Sequence, residues 1–284
     1  MSLLLRGAPV AAALNEKTAQ TVSGLREKGV VPTLAIVRLG AREDDLSYER
    51  AAVKRCAAVG IETRCVSLPE NVSGEALEET LRSLSNDASV HGILLLRPLP
   101  AALDEARILR AIAPEKDVDG AAEGSLVAVY AGTDGGFAPC TAQAVLELLD
   151  YYEIPIEGKR AVVLGRSLVV GRPAAMLLLH RGATVTLCHS KTENAAGLAR
   201  EADILVAAAG RRESVGAAYF RAGQTVIDVG IHYNEETQKL CGDVALAEAD
   251  GVVRAVTPVP GGVGALTTAV LAAHTAKAAA RRIK

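Results

Sequence analysis

At 284 residues, the chain can form one large domain or two of ordinary size. Half of its residues are hydrophobic and 23% are charged, a balance typical of a globular protein with a buried core. The formal net charge of −2, the absence of Trp and an aromatic content of 3% argue against a nucleic-acid or membrane partner. The five scattered cysteines have no metal-ligand spacing, so we expect no metal site and a reducing compartment, the cytoplasm.

Helix-like and strand-like segments alternate along the chain. In the first half, helices are predicted at 9–28, 47–59, 73–85 and 141–151, and strands at 33–40, 61–68 and 92–96. In the second half, helices are predicted at 171–180, 194–200 and 264–281, and strands at 161–164, 184–188, 204–208, 225–229 and 252–255. Two such alternations predict an α/β protein with two mostly parallel sheets, joined by a hinge near Tyr151–Lys159.

The segment AVVLGRSLVVGRP, residues 161–173, is typical of a buried strand, a tight glycine turn and a helix N-terminus. Such a helix end binds phosphate through unpaired N–H groups and a partial positive charge. Gly165 would allow a sharp turn, Gly171 a close approach of helix and strand, and Pro173 fits the first helical turn. The glycines are six residues apart, so the dinucleotide fingerprint is matched in part, and a plain strand–turn–helix fits the same pattern.

The residues that follow the predicted strand 184–188 indicate which nicotinamide cofactor is bound. NAD-binding units usually place a carboxylate there for the ribose hydroxyls, whereas this chain has Ser190 and Lys191. Together with Arg166 in the glycine turn, these groups would hold a ribose 2′-phosphate by charge-assisted hydrogen bonds. The pattern favours NADP over NAD, and a solvated polar loop is the alternative interpretation.

The segment TPVPGGVGALTT, residues 257–268, is unusually rich in Pro and Gly. Prolines fix the backbone and glycines free it, which indicates a defined loop with exposed backbone donors and acceptors before the last helix. We therefore expect this loop to face a ligand, with Thr267 at the helix start.

Combined in this order, the motifs resemble the methylenetetrahydrofolate dehydrogenase/cyclohydrolase family, of the bifunctional FolD type. The motifs that carry the resemblance are KDVDG (116–120), PCTAQAV (139–145), GRSLVVGRP (165–173), VIDVGIH (226–232), GDV (242–244) and TPVPGGVG (257–264). The resemblance implies a homodimer and two α/β domains with a folate cleft between them. It assigns 1–140 and 264–284 to a folate domain and 141–263 to a Rossmann-like NADP domain.

The resemblance also implies roles for individual residues. Asp119 would grip the pterin ring, whose paired N–H donors suit a carboxylate, and Tyr48 would pack against the aromatic middle of the folate. These two are the predicted catalytic residues, and the predicted folate site consists of Tyr48, Asp119, Pro260, Gly261, Gly262 and Thr267. The predicted cofactor site consists of Gly165, Arg166, Ser167, Gly171, Pro173, Ser190, Lys191 and Ile231.

The chain departs from the family at the residues for the second, hydrolytic activity. The family uses a Tyr-x-x-x-Lys helix motif and a glutamine in a GILVQLPLP-like strand, and here the two positions are Ala52 and Leu96. Lys54 falls about 120° from Tyr48 around a helix, and Arg55 has too high a pKa to move protons. We therefore expect hydrolysis to be weak, absent or differently arranged. Arg50 and Arg55 are candidate partners for an acidic folate tail.

The expected function is the NADP-dependent oxidation of 5,10-methylenetetrahydrofolate to 5,10-methenyltetrahydrofolate, a step of one-carbon metabolism. Hydride transfer requires alignment of two carbons and no protein base, so it tolerates the missing lysine and glutamine. Three alternatives stay open. They are a bifunctional enzyme with another hydrolytic arrangement, a two-domain dehydrogenase for a small acid or shikimate-like substrate, and a non-catalytic nucleotide-binding protein.

Overall fold

The computed structural model describes residues 1–235 and 238–283. Its strands are β1 (Leu3–Leu4), β2 (Thr33–Leu39), β3 (Glu62–Leu68), β4 (Gly92–Leu95), β5 (Arg160–Leu164), β6 (Thr184–Cys188), β7 (Ile204–Ala207), β8 (Thr225–Asp228), β9 (His232–Asn234), β10 (Lys239–Cys241) and β11 (Ala255–Val256). Its α-helices are α1 (Gly7–Glu27), α2 (Glu43–Ala58), α3 (Gly74–Asn86), α4 (Glu105–Leu109), α5 (Glu123–Ala131), α6 (Cys140–Tyr151), α7 (Gly171–His180), α8 (Ala195–Glu201), α9 (Leu246–Ala249) and α10 (Thr267–Arg281).

The chain divides into two compact units, each with its own sheet. Residues 1–12 and 141–267 form the six-stranded unit, and residues 13–140 and 268–284 form the three-stranded unit. The larger sheet has the strand order β1-β11-β8-β7-β5-β6, and the smaller has the order β3-β2-β4. All pairs within these two sheets are parallel, which confirms the predicted α/β class.

The three-stranded unit is built around β2, whose central residues are fully buried because strands lie on both of its sides. Leu77, Leu81 and Leu84 of α3 pack in the same core as residues of β2 and β4, at the spacing of one helix face. Ser73 is the N-cap of α3, and its Oγ accepts a hydrogen bond of 3.2 Å from the Ala76 N–H.

At the centre of its sheet, the six-stranded unit buries all of β7 and β8, and all of β5 after the exposed Arg160. In the core of this unit, Val162 and Leu164 of β5 belong to the same cluster as Ala199 of α8 and Phe220. The carboxyl ends of parallel strands meet at one edge of a sheet, and loops at that edge are where such sheets bind ligands. This unit therefore presents the glycine turn and three neighbouring loops together.

Several details differ from the prediction. Residues 252–254 form a turn, so the predicted strand 252–255 is wrong, and β11 covers only Ala255–Val256. A 3₁₀ turn at Val263–Ala265 precedes α10, which therefore begins at Thr267 instead of residue 264. The first twelve residues lie in the six-stranded unit, because β1 pairs with β11, whereas the expected domains assigned them to the other half. Within the described residues, no helix combines the length and apolarity needed to cross a membrane.

Candidate active site

The glycine turn between β5 and α7 has the geometry that the sequence predicts. Gly165 has a φ of +121°, and a Cβ at this position would overlap the carbonyl oxygen of Ala208. A Cβ on Gly171 would in turn overlap the carbonyl oxygen of Gly165, so α7 starts directly against the end of β5. Both positions therefore exclude any side chain, and the peptide groups of the turn are left bare for a ligand.

Replacement of Gly165 by alanine is expected to destabilise the protein more than the same replacement at an uncrowded glycine with positive φ. We expect Gly165→Ala to lower the free energy of unfolding by about 3 kcal/mol or more, because backbone strain and overpacking add. Gly158 is the matched control, since its φ is +72° and a Cβ there would meet nothing within 4 Å. Gly158→Ala should cost about 1 kcal/mol. Equal urea midpoints for the two variants would contradict the proposed crowding at Gly165.

The side chains of the turn divide into one that shapes it and one that is free for a ligand. The Ser167 Oγ accepts hydrogen bonds from the N–H groups of Val170 and Gly171, at 3.2 and 3.4 Å, and thereby caps the start of α7. Arg166 is exposed and carries a positive charge. Pro173 is buried in the first turn of α7, where its missing N–H costs nothing.

A cavity of about 680 Å³ opens at this turn. Five of the predicted cofactor residues line it: Gly165, Arg166, Ser167, Ser190 and Ile231. The other three lie outside the lining that the described residues form. Gly171 and Pro173 act in packing α7, and Lys191 lies in the turn after β6, with its N–H directed to the His189 Nδ1 at 3.2 Å.

Other lining residues follow β7 and β8 and were not predicted. They are Ala208, Ala209, Gly210, Arg211, Ser214, Val215, Tyr219, Val229, Gly230, His232 and Asp243. The rule that ligands bind at the carboxyl ends of parallel strands would have identified the residues directly after β7 and β8. Ser214 and Tyr219 lie in the long segment between β7 and β8, where no local signal marks them, whereas Asp243 belongs to the motif GDV, to which the sequence analysis gave no site role.

Two buried aspartates hold the loops on the far side of the cavity. Asp243 accepts hydrogen bonds from the N–H groups of Gly210 and Arg211 and lies 2.7 Å from the His232 Nε2. Asp228 accepts from the N–H groups of Gly230, Asp243 and Val244, at 2.9 to 3.0 Å. Burial raises the pKa of Asp228 to about 6, although these backbone donors favour its ionised form. The aspartates of the motifs VIDVGIH and GDV therefore anchor these loops, and Ile231 of the first motif lines the cavity.

The motif KDVDG lies in the three-stranded unit and its three charged residues have different surroundings. Lys116 is fully buried, and its Nζ donates to the carbonyl oxygens of Leu84 and Asp87 at the end of α3. Burial lowers the pKa of Lys116 to about 8. Asp117 is also buried and accepts from the N–H groups of Ala121 and Ala122, so both side chains serve the fold.

Asp119 differs because 21% of its side chain is exposed. Burial of the carboxyl raises its pKa to about 6, and the nearby Arg97 guanidinium opposes this rise. The Arg97 Nη2 lies 3.4 Å from the Asp119 Oδ2. Asp119 is thus the carboxylate of the motif that is open to a ligand. Arg97 is a second charged group here that the sequence analysis did not identify, although it directly follows Leu96.

The helix α2 presents Tyr48 as a half-buried residue, four positions before Ala52. Ala52 is fully buried and Leu96 is 6% exposed, so both positions of the family's lysine and glutamine are apolar in this chain. Lys54 and Arg50 are exposed, and the Arg55 Nε is 3.4 Å from the Thr268 Oγ1. The structure thus places no cation of α2 at the Ala52 position.

The loop before α10 exposes Pro260 and Gly261 and buries Gly262. No side chain fits at Gly262, because a Cβ would lie 2.5 Å from the carbonyl oxygen of Pro258. The carbonyl oxygen of Gly261 accepts a hydrogen bond of 2.8 Å from the Gly7 N–H. Thr267 begins α10, with its Oγ1 3.4 Å from the Gly264 carbonyl oxygen. The loop is therefore fixed by backbone contacts and leaves the Pro260–Gly261 peptide region open to a ligand.

Two family models match nearly the whole chain. Residues 5–119 match the catalytic domain of tetrahydrofolate dehydrogenase/cyclohydrolase, and residues 139–283 match its NAD(P)-binding domain. A bifunctional FolD protein of Carboxydothermus hydrogenoformans is 50% identical over 279 residues, which cover 98% of this chain and 97% of the relative. A second, from Clostridioides difficile, is 47% identical over 97% of this chain and 96% of the relative.

Solved structures give the same result. The FolD methylenetetrahydrofolate dehydrogenase/cyclohydrolase of Campylobacter jejuni has a TM-score of 0.95 and 38% identity, covering 99% of this chain and all of that one. The Trypanosoma brucei enzyme, complexed with NADP cofactor and inhibitor, has a TM-score of 0.91 and 36% identity, covering 100% and 99%. By sequence and by structure, the chain belongs to the tetrahydrofolate dehydrogenase/cyclohydrolase family.

Proposed function

We propose that this protein oxidises 5,10-methylenetetrahydrofolate to 5,10-methenyltetrahydrofolate with NADP, and that its hydrolytic activity is weak or absent. The observation that carries the proposal is the cavity at the β5–α7 turn in a chain of this family. Its volume of about 680 Å³ is in the range of small-molecule sites, and the turn at its edge has no room for a side chain at Gly165 or Gly171. The Trypanosoma relative is an NADP complex, which supports the same cofactor here.

The cofactor preference rests on charge at the cavity. Arg166 and Ser190 line it, and neither is a carboxylate that would repel a ribose 2′-phosphate. Gly165 and Ser167 would face the pyrophosphate, where the partial positive charge at the start of α7 favours an anion. Bound NADP would supply the acceptor for the hydride. The predicted role of Ile231 is to lie near this cofactor, in keeping with its place on the cavity wall.

The residues proposed for the folate have to hold and orient it. The ionised Asp119 would accept hydrogen bonds from the pterin N–H groups, and Tyr48 would pack against the aromatic middle of the substrate. Pro260, Gly261, Gly262 and Thr267 would border the folate and the nicotinamide. Loss of hydride from the methylene carbon leaves a cation that the two attached nitrogens stabilise, so no protein group has to remove a proton. Positioning therefore provides most of the catalysis.

Hydrolysis of the methenyl product, unlike hydride transfer, requires a group that activates water. Ala52 and Leu96 carry neither an amine nor an amide, and both are buried among apolar neighbours. Lys54 is exposed on α2 and Arg55 cannot act as a base. We infer that this chain keeps the dehydrogenase step and has lost the family's usual means of hydrolysis, although its relatives carry the name bifunctional.

The purified protein is expected to form NADPH from methylenetetrahydrofolate and NADP, with the methenyl product accumulating. The absorbance band of the methenyl product should then decay at the rate seen in buffer, because the protein supplies no base to activate water. The Carboxydothermus relative provides a matched control for enzyme-catalysed decay. Absence of turnover with both NADP and NAD would overturn the dehydrogenase assignment. Decay well above the buffer rate would overturn the inferred loss of hydrolysis.

The proposed setting is a cytoplasmic homodimer that needs neither nucleic acid nor membrane. All five cysteines are free thiols, and Cys56, Cys140 and Cys188 are buried, which suits a reducing compartment. We assign the folate contacts of Tyr48 and Asp119 to the three-stranded unit, where both residues fall within the match to the catalytic-domain model. We assign NADP binding to the six-stranded unit, which also carries the loop residues 260–267. The homodimer rests on the family resemblance.

A further inference from the structure

The Arg97 side chain lies between two carboxylates of the three-stranded unit. Its Nη1 is 3.4 Å from the Glu105 Oε1, at the start of α4, and its Nη2 is 3.4 Å from the Asp119 Oδ2. The side chain is 21% exposed, so solvent screens these contacts only in part. Glu105 thus holds the guanidinium from one side while the other side faces Asp119.

Two other groups face Asp119, the carboxylate of Asp117 and the thiol of Cys140, and neither carries a positive charge. The carboxylate of Asp117 is of like sign and raises the pKa of Asp119. Burial and the two carboxylates raise the pKa of the Cys140 thiol at the start of α6, so it stays neutral, and its hydrogen bond to Asp119 lowers the pKa of that carboxyl by less than the charge of Arg97 does. Burial itself acts against ionisation of Asp119 and is the largest influence on its pKa, which is raised to about 6. Arg97 is the cation that faces Asp119, and its charge opposes the effects of burial and of Asp117 on the pKa of this carboxyl.

The charge of Asp119 decides what this carboxyl can recognise. The pterin edge offers adjacent N–H donors, and an ionised carboxylate accepts from both with its two oxygens. Protonation converts one oxygen into a donor, which then faces another donor. We propose that Arg97 is a positioning residue for Asp119, which keeps this carboxylate ionised and directed so that folate binding persists into mildly acidic solution. This inference rests on the proposed function for the identity of the ligand.

The test compares Arg97→Gln and Arg97→Lys with the unaltered protein in the NADP-linked assay from pH 5.5 to 9. An opposite charge at this distance lowers a carboxyl pKa by about 1 unit or more, so its removal moves the acid-side rise in KM upward by about one pH unit. At pH 6 the KM of Arg97→Gln should then be about fivefold higher, and at pH 9 it should agree within about twofold. Arg97→Lys keeps the charge and should restore most of the normal profile.

A second readout is independent of the folate. Selective ¹³C labelling of Asp carboxyls, with Asp119→Asn for assignment, follows the titration of Asp119 in the ligand-free protein. The control is Arg110→Gln, an exposed arginine whose Nη1 lies 3.9 Å from the Glu123 Oε2. It should leave both the KM profile and the Asp119 titration unchanged.

The outcomes distinguish the proposed effect of Arg97 on Asp119 from the proposed enzymatic function. An upward shift of the Asp119 titration in Arg97→Gln together with the KM shift supports the proposal. An unchanged titration overturns it, and so does a KM that is raised equally at pH 6 and pH 9, because Arg97 would then contact the substrate itself. If no variant, nor the unaltered protein, turns over methylenetetrahydrofolate while the titration still shifts, the proposed function fails and the Arg97–Asp119 coupling stands.

Discussion

Replacement of Asp119 by asparagine is expected to raise the KM for methylenetetrahydrofolate about 100-fold, with a much smaller effect on the KM for NADP. Asparagine has the same shape but exchanges one acceptor oxygen for an NH₂ donor, which would face the donors of the pterin edge. The loss of a charge-assisted hydrogen bond and the unpaired donor together cost about 2.7 kcal/mol, which corresponds to two powers of ten. Steady-state kinetics with each substrate varied in turn measures the effect.

The pH profile gives this prediction a second signature. Because the pKa of Asp119 is raised to about 6, the KM of the unaltered protein should increase as the pH falls through 6, where the carboxylate takes up a proton. Asp119→Asn should lose this acid-side increase, since the amide does not titrate. Asp134→Asn is a suitable control, because Asp134 lies in the same unit with 90% of its side chain exposed. A normal KM in Asp119→Asn would show that the pterin binds elsewhere.

The regular part of the fold could be predicted because each unit repeats one pattern. Buried parallel strands such as β5 and β7 are short apolar runs, and helices such as α7 follow after a clear break. The prediction of α7 and β6 agrees with the structure to the residue, since Gly171 begins the helix and Cys188 ends the strand. Local sequence was sufficient there because turn residues and periodicity point to the same boundaries.

The elements that were missed depend on pairing instead of local pattern. Strand β1 has two residues and exists because Leu3 and Leu4 pair with Ala255 and Val256, more than 250 residues later. The antiparallel strands β9 and β10 likewise have three residues each, too few for a hydrophobic alternation to be visible. The predicted strand at 252–255 failed for the same reason: apolar residues preceding β11 form a turn.

The candidate site was predictable where a motif supplies a special backbone or an exposed charge. Gly165 and Arg166 belong to this class, and both line the cavity. Sequence could not separate Asp119 from Asp117 by geometry, because only the fold buries Asp117 against the start of α5. Arg97 was missed because its significance lies in two carboxylates that are 8 and 22 positions away. Long-range electrostatic partners of this kind leave no periodic trace in one sequence.

The double variant Arg166→Gln/Ser190→Ala is expected to change the cofactor preference. Two charge-assisted hydrogen bonds to a ribose 2′-phosphate contribute roughly 3 kcal/mol together, so the KM for NADP should rise about 100-fold. NAD lacks that phosphate, and its KM should change by less than about threefold. The ratio of kcat/KM for the two cofactors measures the preference directly, because changes in folate binding cancel in it.

The matched control for this variant is Arg172→Gln, which removes a positive charge six positions after Arg166 but lies outside the cavity lining. It should leave the cofactor ratio unchanged, since Arg172 is exposed and salt screens its charge. An equal loss of NADP and NAD in the double variant would mean that Arg166 binds the pyrophosphate, which both cofactors share. In that case the absence of a carboxylate after β6 would explain why the site accepts the 2′-phosphate of NADP. A preference for NADP over NAD would then have to come from other residues of the cavity.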